Sequence, residues 1–146
     1  MNLLVTNHIQ KLKHRYQTNM KGIIAINKAG YIGLNNDLPW RSSEDLQHFK
    51  KLTMGSSLLV GYRTAQTLPK LPGREIIVHD RNNIDTNYDL VDWCIGGKAT
   101  YEHFCDRFTE LHISHIHDYT DGDTPEPVFR NLNPQCRIYH YYFKTN

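Results

Sequence analysis

Cysteine is scarce in this chain. Cys94, Cys105 and Cys136 are odd in number, widely spaced and without a C-x-x-C pair. Such usage argues against a disulfide framework and for a reducing compartment, so a cytoplasmic location is expected. Long apolar runs are missing too. None approaches the roughly 20 residues that cross a bilayer, and Leu3-Leu4-Val5 is too short for a signal-peptide core. No repeat or low-complexity tract interrupts the chain. Net charge is almost absent: 17 Lys and Arg face 15 Asp and Glu, giving +2 with histidine neutral.

What is present suits one globular domain of 146 residues, with 39% hydrophobic and 22% charged residues. The charge is unevenly placed. Lys11, Lys13, Arg15, Lys21 and Lys28 stand in residues 1–36 without an acid, whereas residues 75–126 are strongly acidic. Five cations without interleaved aromatics do not make a nucleic-acid surface, so no nucleic-acid or membrane partner is expected, and a monomer is. Histidine is plentiful, with His112, His115 and His117 clustered. On a strand, His115 and His117 share a face and His112 points the other way, a poor three-ligand set. No metal site is expected.

Hydrophobic patterning sets the order of elements. Gly22-Ile23-Ile24-Ala25-Ile26, Leu58-Leu59-Val60 and Ile76-Ile77-Val78 read as buried strands. Leu90–Ile95 reads as a central strand ending at Gly96-Gly97. Leu111–His117 and Cys136–Lys144 alternate, the latter with Tyr139, Tyr141 and Phe143 on one face. Ser42 or Ser43 caps a helix of about three turns with Glu44 and Asp45 in its first turn. Thr64–Leu68 predicts a short helix stopped by Pro69, and Lys98–Phe108 a second amphipathic one. Residues 7–17 predict a short helix within an N-terminal extension, 1–19, ahead of a domain over 20–146. The fold expected is α/β: three layers, α/β/α, around a mostly parallel sheet with an antiparallel C-terminal strand.

Two local features bear on chemistry. Asp45 lies four residues before Phe49, so a carboxylate and an aromatic ring share one helix face. The pair reads either as a helix-capping acid with an inward ring, or as a lone acid in an apolar cleft with a raised pKa. Ile95-Gly96-Gly97 runs from strand to helix, where backbone can approach a ligand and N–H groups favour phosphate. Ahead of both, Asn27 to Trp40 is a long loop, a length usually kept for function.

Taken in order, these pieces resemble dihydrofolate reductase from Gly22 to Thr124. The resemblance rests on Ala25, Ile32-Gly33, Asn36, Leu38-Pro39-Trp40, Asp45-Leu46, Phe49-Lys50, Thr53, Gly61 and Thr64. It continues through Leu71-Pro72-Gly73-Arg74, Ile95-Gly96-Gly97, Tyr101 and Gly122-Asp123-Thr124. It implies hydride transfer from NADPH to C6 of dihydrofolate with protonation at N5. Asp45 would bind the pterin N3 and 2-amino group, Trp40 would hold a water beside it, and Ser114 would support that network in place of the usual Thr. Phe49 would pack on the benzoyl ring between apolar walls from Ile23, Leu46, Leu68, Leu71 and Ile95, with Arg74 on the glutamate carboxylate. Ala25 and Ile32 would hold the carboxamide. Arg63, Thr64, Gly97, Lys98, Ala99 and Thr100 would surround the pyrophosphate, with Gly61, Gly96 and Tyr101 on the same side. The loop 27–40 would be a lid steadied by Asp123.

The chain also departs from the family. Tyr62 stands where an arginine usually grips the 2′-phosphate, and Asp80 or Arg81 and Ala99 replace its usual companions, which leaves NADH use open. The stretch from Asp80 to Leu90 is short, and so is the tail after Thr124. These losses thin the adenosine side and spare the folate side. The alternative function is therefore a non-catalytic relative that binds folate or a protein partner.

Overall fold

The computed structural model describes residues 19–80, 82 and 88–146. The helix expected over 7–17 lies outside the described residues. Six strands form one sheet: β1 (Lys21–Asn27), β3 (Ser57–Gly61), β4 (Glu75–His79), β5 (Trp93–Cys94), β6 (Glu110–His117) and β8 (Arg137–Lys144). Their spatial order is β4-β3-β5-β1-β6-β8, and every pairing is parallel. Two short strands, β2 (Tyr31–Gly33) and β7 (Thr124–Pro125), pair antiparallel as a separate ribbon. The helices are α1 (Ser43–Thr53), α2 (Tyr62–Thr67) and α3 (Lys98–Phe104). Among the described residues no helix is long and apolar enough to cross a membrane.

The apolar runs of β1 and β3 lie inside this sheet because both of its faces are covered there. The run expected as a third buried strand, Ile76-Ile77-Val78, is instead the edge strand β4, with Ile76 and Val78 exposed because no neighbour among the described residues covers that edge. On one face Ile24, Leu59, Cys94 and Leu111 pack with Met20, Tyr101, Phe104 and Phe108. On the other, Ile23, Leu58 and Trp93 meet Phe49 and Leu52 of α1. That is the expected three-layer arrangement. Gly22 is required by it: a Cβ there would lie 2.6 Å from the Phe108 ring.

The last strand corrects one expectation, since β8 runs parallel to β6 rather than antiparallel. Alternation assigns faces but not direction. Direction follows from the 118–136 connection, long enough for the crossover that parallel neighbours need. Two further boundaries differ. The strand expected over Leu90–Ile95 is only Trp93–Cys94: residues 88–91 close a turn, with the Val91 N–H donating to the Tyr88 carbonyl at 3.1 Å, and the Asp92 carboxylate accepts the Ser57 N–H at 2.9 Å and Ser57 Oγ at 3.1 Å. The helix expected to reach Phe108 ends at Phe104 and tightens into a 3₁₀ turn over Cys105–Arg107.

Candidate active site

α1 begins where the sequence suggests. Ser42 is the N-cap, its Oγ accepting the Asp45 N–H at 3.2 Å, and Glu44 and Asp45 fill the first turn. Asp45 thereby turns inward and is only 7% exposed. Burial raises its carboxyl above the ordinary 3.8, while a hydrogen bond from the Ser114 hydroxyl pulls the other way by favouring the ionised form. Ser114 is itself buried on β6, opposite Ala25 of β1. Two residues far apart in the chain are thus joined at one carboxylate. Trp40 is buried as well, and its indole N–H has no hydrogen-bond partner among the described residues, a donor left for a small polar group.

Of the apolar residues expected around the ring, the structure brings some together and not others. Ile23, Phe49, Leu71 and Ile95 belong to one cluster with Leu58, Leu52 and Trp93. Leu46, 55% exposed, and Leu68, which ends α2, are not part of that cluster. Arg74 is anchored by Nε to the Pro72 carbonyl at 3.2 Å and by Nη1 to Thr53 Oγ1 at 3.4 Å. Its guanidinium is therefore held near the far end of α1 and keeps donors to spare.

The glycine side is built by close approach. Gly61 N–H donates to the Gly96 carbonyl at 2.7 Å, and Tyr101 OH donates to the Ile23 carbonyl at 2.6 Å. The peptide between Gly96 and Gly97 is cis. A Cβ would lie 2.5 Å from Thr100 Oγ1 at Gly61, 2.7 Å from the Tyr101 ring at Gly96 and 3.0 Å from Thr64 Oγ1 at Gly97. The starts of α2 and α3 meet here, and neither has a side-chain cap, so N–H groups and the Thr64 and Thr100 hydroxyls are gathered at one place. That donor set fits an anionic pyrophosphate. Ala25 is half-buried on β1, Ile32 packs on the α3-side core, and Ala99 is exposed. Lys98 is committed elsewhere: its ammonium pairs with Glu102 at 2.9 Å. Tyr62 is 67% exposed at the start of α2, Asp80 is exposed, and Arg81 lies outside the described residues.

The loop over 27–40 folds into β2 and a Leu34–Asp37 bridge. Its Asn36 donates from Nδ2 to the Arg63 carbonyl at 2.7 Å, and Thr67 Oγ1 donates to the Asn36 carbonyl at 2.6 Å. Asp123 Oδ2 accepts the Asn35 N–H at 2.9 Å, which holds the Asp123 carboxyl below its usual value. Asn27 anchors the base of the loop to Asp118 Oδ2 at 3.1 Å and to the Thr120 carbonyl at 2.7 Å.

Residues 19–137 match the dihydrofolate reductase family. The chain belongs to that family. A type 9 dihydrofolate reductase from Escherichia coli is 36% identical over 128 residues, covering 70% of this chain and 72% of the relative. The Bacillus subtilis dihydrofolate reductase is 30% identical over 129 residues, covering 76% and 77%. Among solved structures, an Enterococcus faecalis dihydrofolate reductase complexed with NADP(H) and RAB-propyl superposes with a TM-score of 0.66 at 25% identity, covering 78% of this chain and 80% of that one. As a dihydrofolate reductase the chain is an oxidoreductase that reduces 7,8-dihydrofolate with NADPH.

Sequence reasoning missed several contacts around the site. His48 lies one turn after Asp45, with its ring 4.1 Å from Tyr141 and 5.2 Å from Phe143. His112 bridges Glu110 Oε1 at 2.8 Å and Tyr141 OH at 2.9 Å. Histidine at position i+3 from Asp45 was the available signal.

Proposed function

We propose that Asp45 is the carboxylate that binds the pterin and handles the proton when 7,8-dihydrofolate becomes 5,6,7,8-tetrahydrofolate. The observation that carries this is the one acid buried among the described residues, raised by burial, bonded to Ser114 and set beside the Ile23–Phe49–Leu71–Ile95 wall. Ionised Asp45 presents two acceptor oxygens to the N3 and 2-amino donors, a matched pair. Burial raises the proton affinity of the carboxyl above that of a solvated one, the direction that suits a proton-handling group. Trp40 offers its unpaired N–H to a water beside it. NADPH supplies the hydride that goes to C6; the electron pair of the C6–N5 double bond then takes a proton at N5. Phe49 and the apolar wall exclude water around the ring, and Arg74 binds the glutamate α-carboxylate.

Gly61, Thr64, Gly96, Gly97, Thr100 and Tyr101 form the cofactor side, with Arg63 and Ala99 at its border and the backbone of Ala25 and Ile32 toward the carboxamide. Lys98 contributes its N–H there rather than its charge, which Glu102 occupies. The catalytic domain is assigned to 20–146, supported by a family match that begins at residue 19. A monomer in the cytoplasm is the setting proposed, and three free thiols suit it. The test is NADPH consumption with dihydrofolate by the purified chain and by Asp45→Asn. Turnover should fall about 10²–10⁴-fold in the variant, the usual contribution of a proton-handling group. A variant within about twofold of the parent removes Asp45 from the role. A parent that binds folate without consuming NADPH returns the chain to the non-catalytic reading.

A further inference from the structure

The start of α1 is held from outside the helix, by the end of β8 and the residues just past it. Ser42 Oγ accepts the Asp45 N–H at 3.2 Å and donates its proton to the Lys144 carbonyl at 2.8 Å. A hydroxyl has one proton, so the Lys144 carbonyl fixes its direction and turns a lone pair toward Asp45. Asn146 makes two more contacts. Its Oδ1 accepts the Ser43 N–H at 2.8 Å, and its N–H donates to the Arg41 carbonyl at 3.0 Å. The bonds accepted from the Ser43 and Asp45 N–H groups satisfy donors that the first turn of a helix leaves open. One turn further along α1, His48 lies against Tyr141 and Phe143 of the same strand.

β8 is also paired residue by residue with β6, and Tyr141 stands opposite Ser114. The two supports of the Asp45 carboxylate, its own helix and the Ser114 hydroxyl, are therefore referenced to one strand. We infer that residues 141–146 are a clamp that sets the position of Asp45, and that Asn146 is a positioning residue for the reaction. The parallel direction of β8 makes this possible, because it brings the strand's C-terminal end, rather than its start, to the N-terminus of α1. The inference rests on the reading of Asp45 given above.

The experiment compares Asn146→Ala, Asn146→Asp and Asp45→Asn in the full chain, by single-turnover hydride transfer, KM for NADPH and thermal midpoint. Asn146→Ala should slow hydride transfer about 3–30-fold, since a misplacement of a full ångström costs about 100-fold and the clamp loses one of its bonds. KM for NADPH and the thermal midpoint should stay near the parent's. Asn146→Asp keeps the acceptor oxygen and should restore the rate. If Asp45→Asn loses turnover while Asn146→Ala transfers hydride at the parental rate, the clamp is wrong and Asp45 stands. If Asn146→Ala lowers the thermal midpoint and raises KM together, and Asn146→Asp does not restore the rate, the segment is merely structural and the inference falls. If Asp45→Asn keeps its rate, the reading of Asp45 fails first, and the clamp with it.

Discussion

Replacing Asp45 by Asn should make the protein more stable while disabling it, and the gain should depend on pH in a defined way. Asp45 is 7% exposed, and burial raises its carboxyl above 3.8, the value it has in the unfolded chain. Below that value the carboxyl is neutral in both states, so the parent and Asp45→Asn should differ little. As pH rises through the native pKa, the folded parent must carry a buried charge that its unfolded chain carries freely, and stability is lost. The asparagine variant has no such titration. Desolvating an ion costs several kcal/mol in real proteins, and the Ser114 bond to the ionised carboxylate offsets about 1.5–3 kcal/mol. A residual of about 0.5–2 kcal/mol is typical for relieving a strained functional site, or roughly 2–8 °C in Tm for a chain of this size. Urea unfolding of both proteins from about pH 4 to about pH 8 measures it. The gap between their midpoints should be small at the acid end, widen, then level off. A gap that is constant across the range, or a parent more stable at the alkaline end, would refute the reasoning.

Other outcomes follow from single contacts. Gly22→Ala places a Cβ 2.6 Å from the Phe108 ring and 2.9 Å from Leu111, both fully packed; overpacking should cost about 1–3 kcal/mol by urea unfolding. Arg74→Leu removes the cation held beside Thr53 and should raise KM for dihydrofolate about 10–100-fold, with kcat little changed, as expected for a lost charged hydrogen bond. Tyr62→Arg adds a cation to the exposed start of α2; the ratio of kcat/KM for NADPH over NADH should rise about 3–5-fold, the scale of an exposed ion pair.

The apolar runs at Ile23 and Leu58 were legible as strands because each is continuous and buried on both faces; the run at Ile76 was legible as a strand from its continuity, but its place at the exposed edge was not. The cap at Ser42 and the acids at 44 and 45 likewise marked the start of α1. The direction of β8 was not legible, since its alternation of aromatics is the same whichever way the strand runs. β5 is short because its expected start closes the 88–91 turn, and the bond between Asp92 and Ser57 beside it joins residues 35 apart, which no local pattern carries. The same holds at the site. Phe49 beside Asp45 follows from helical spacing, whereas Ser114 at the carboxylate followed only from the resemblance. The clamp from Lys144 and Asn146 joins residues about a hundred positions apart through the Ser42 and Asn146 side chains and backbone partners, and no local pattern carries such a contact.

Hydride transfer onto dihydrofolate can be followed directly in the product. The purified protein, given dihydrofolate and NADPH deuterated at the transferable C4 position, should yield tetrahydrofolate carrying deuterium at C6 by NMR, and Asp45→Asn should yield almost none. Folate that binds but emerges unreduced, or product lacking deuterium at C6, would contradict the account.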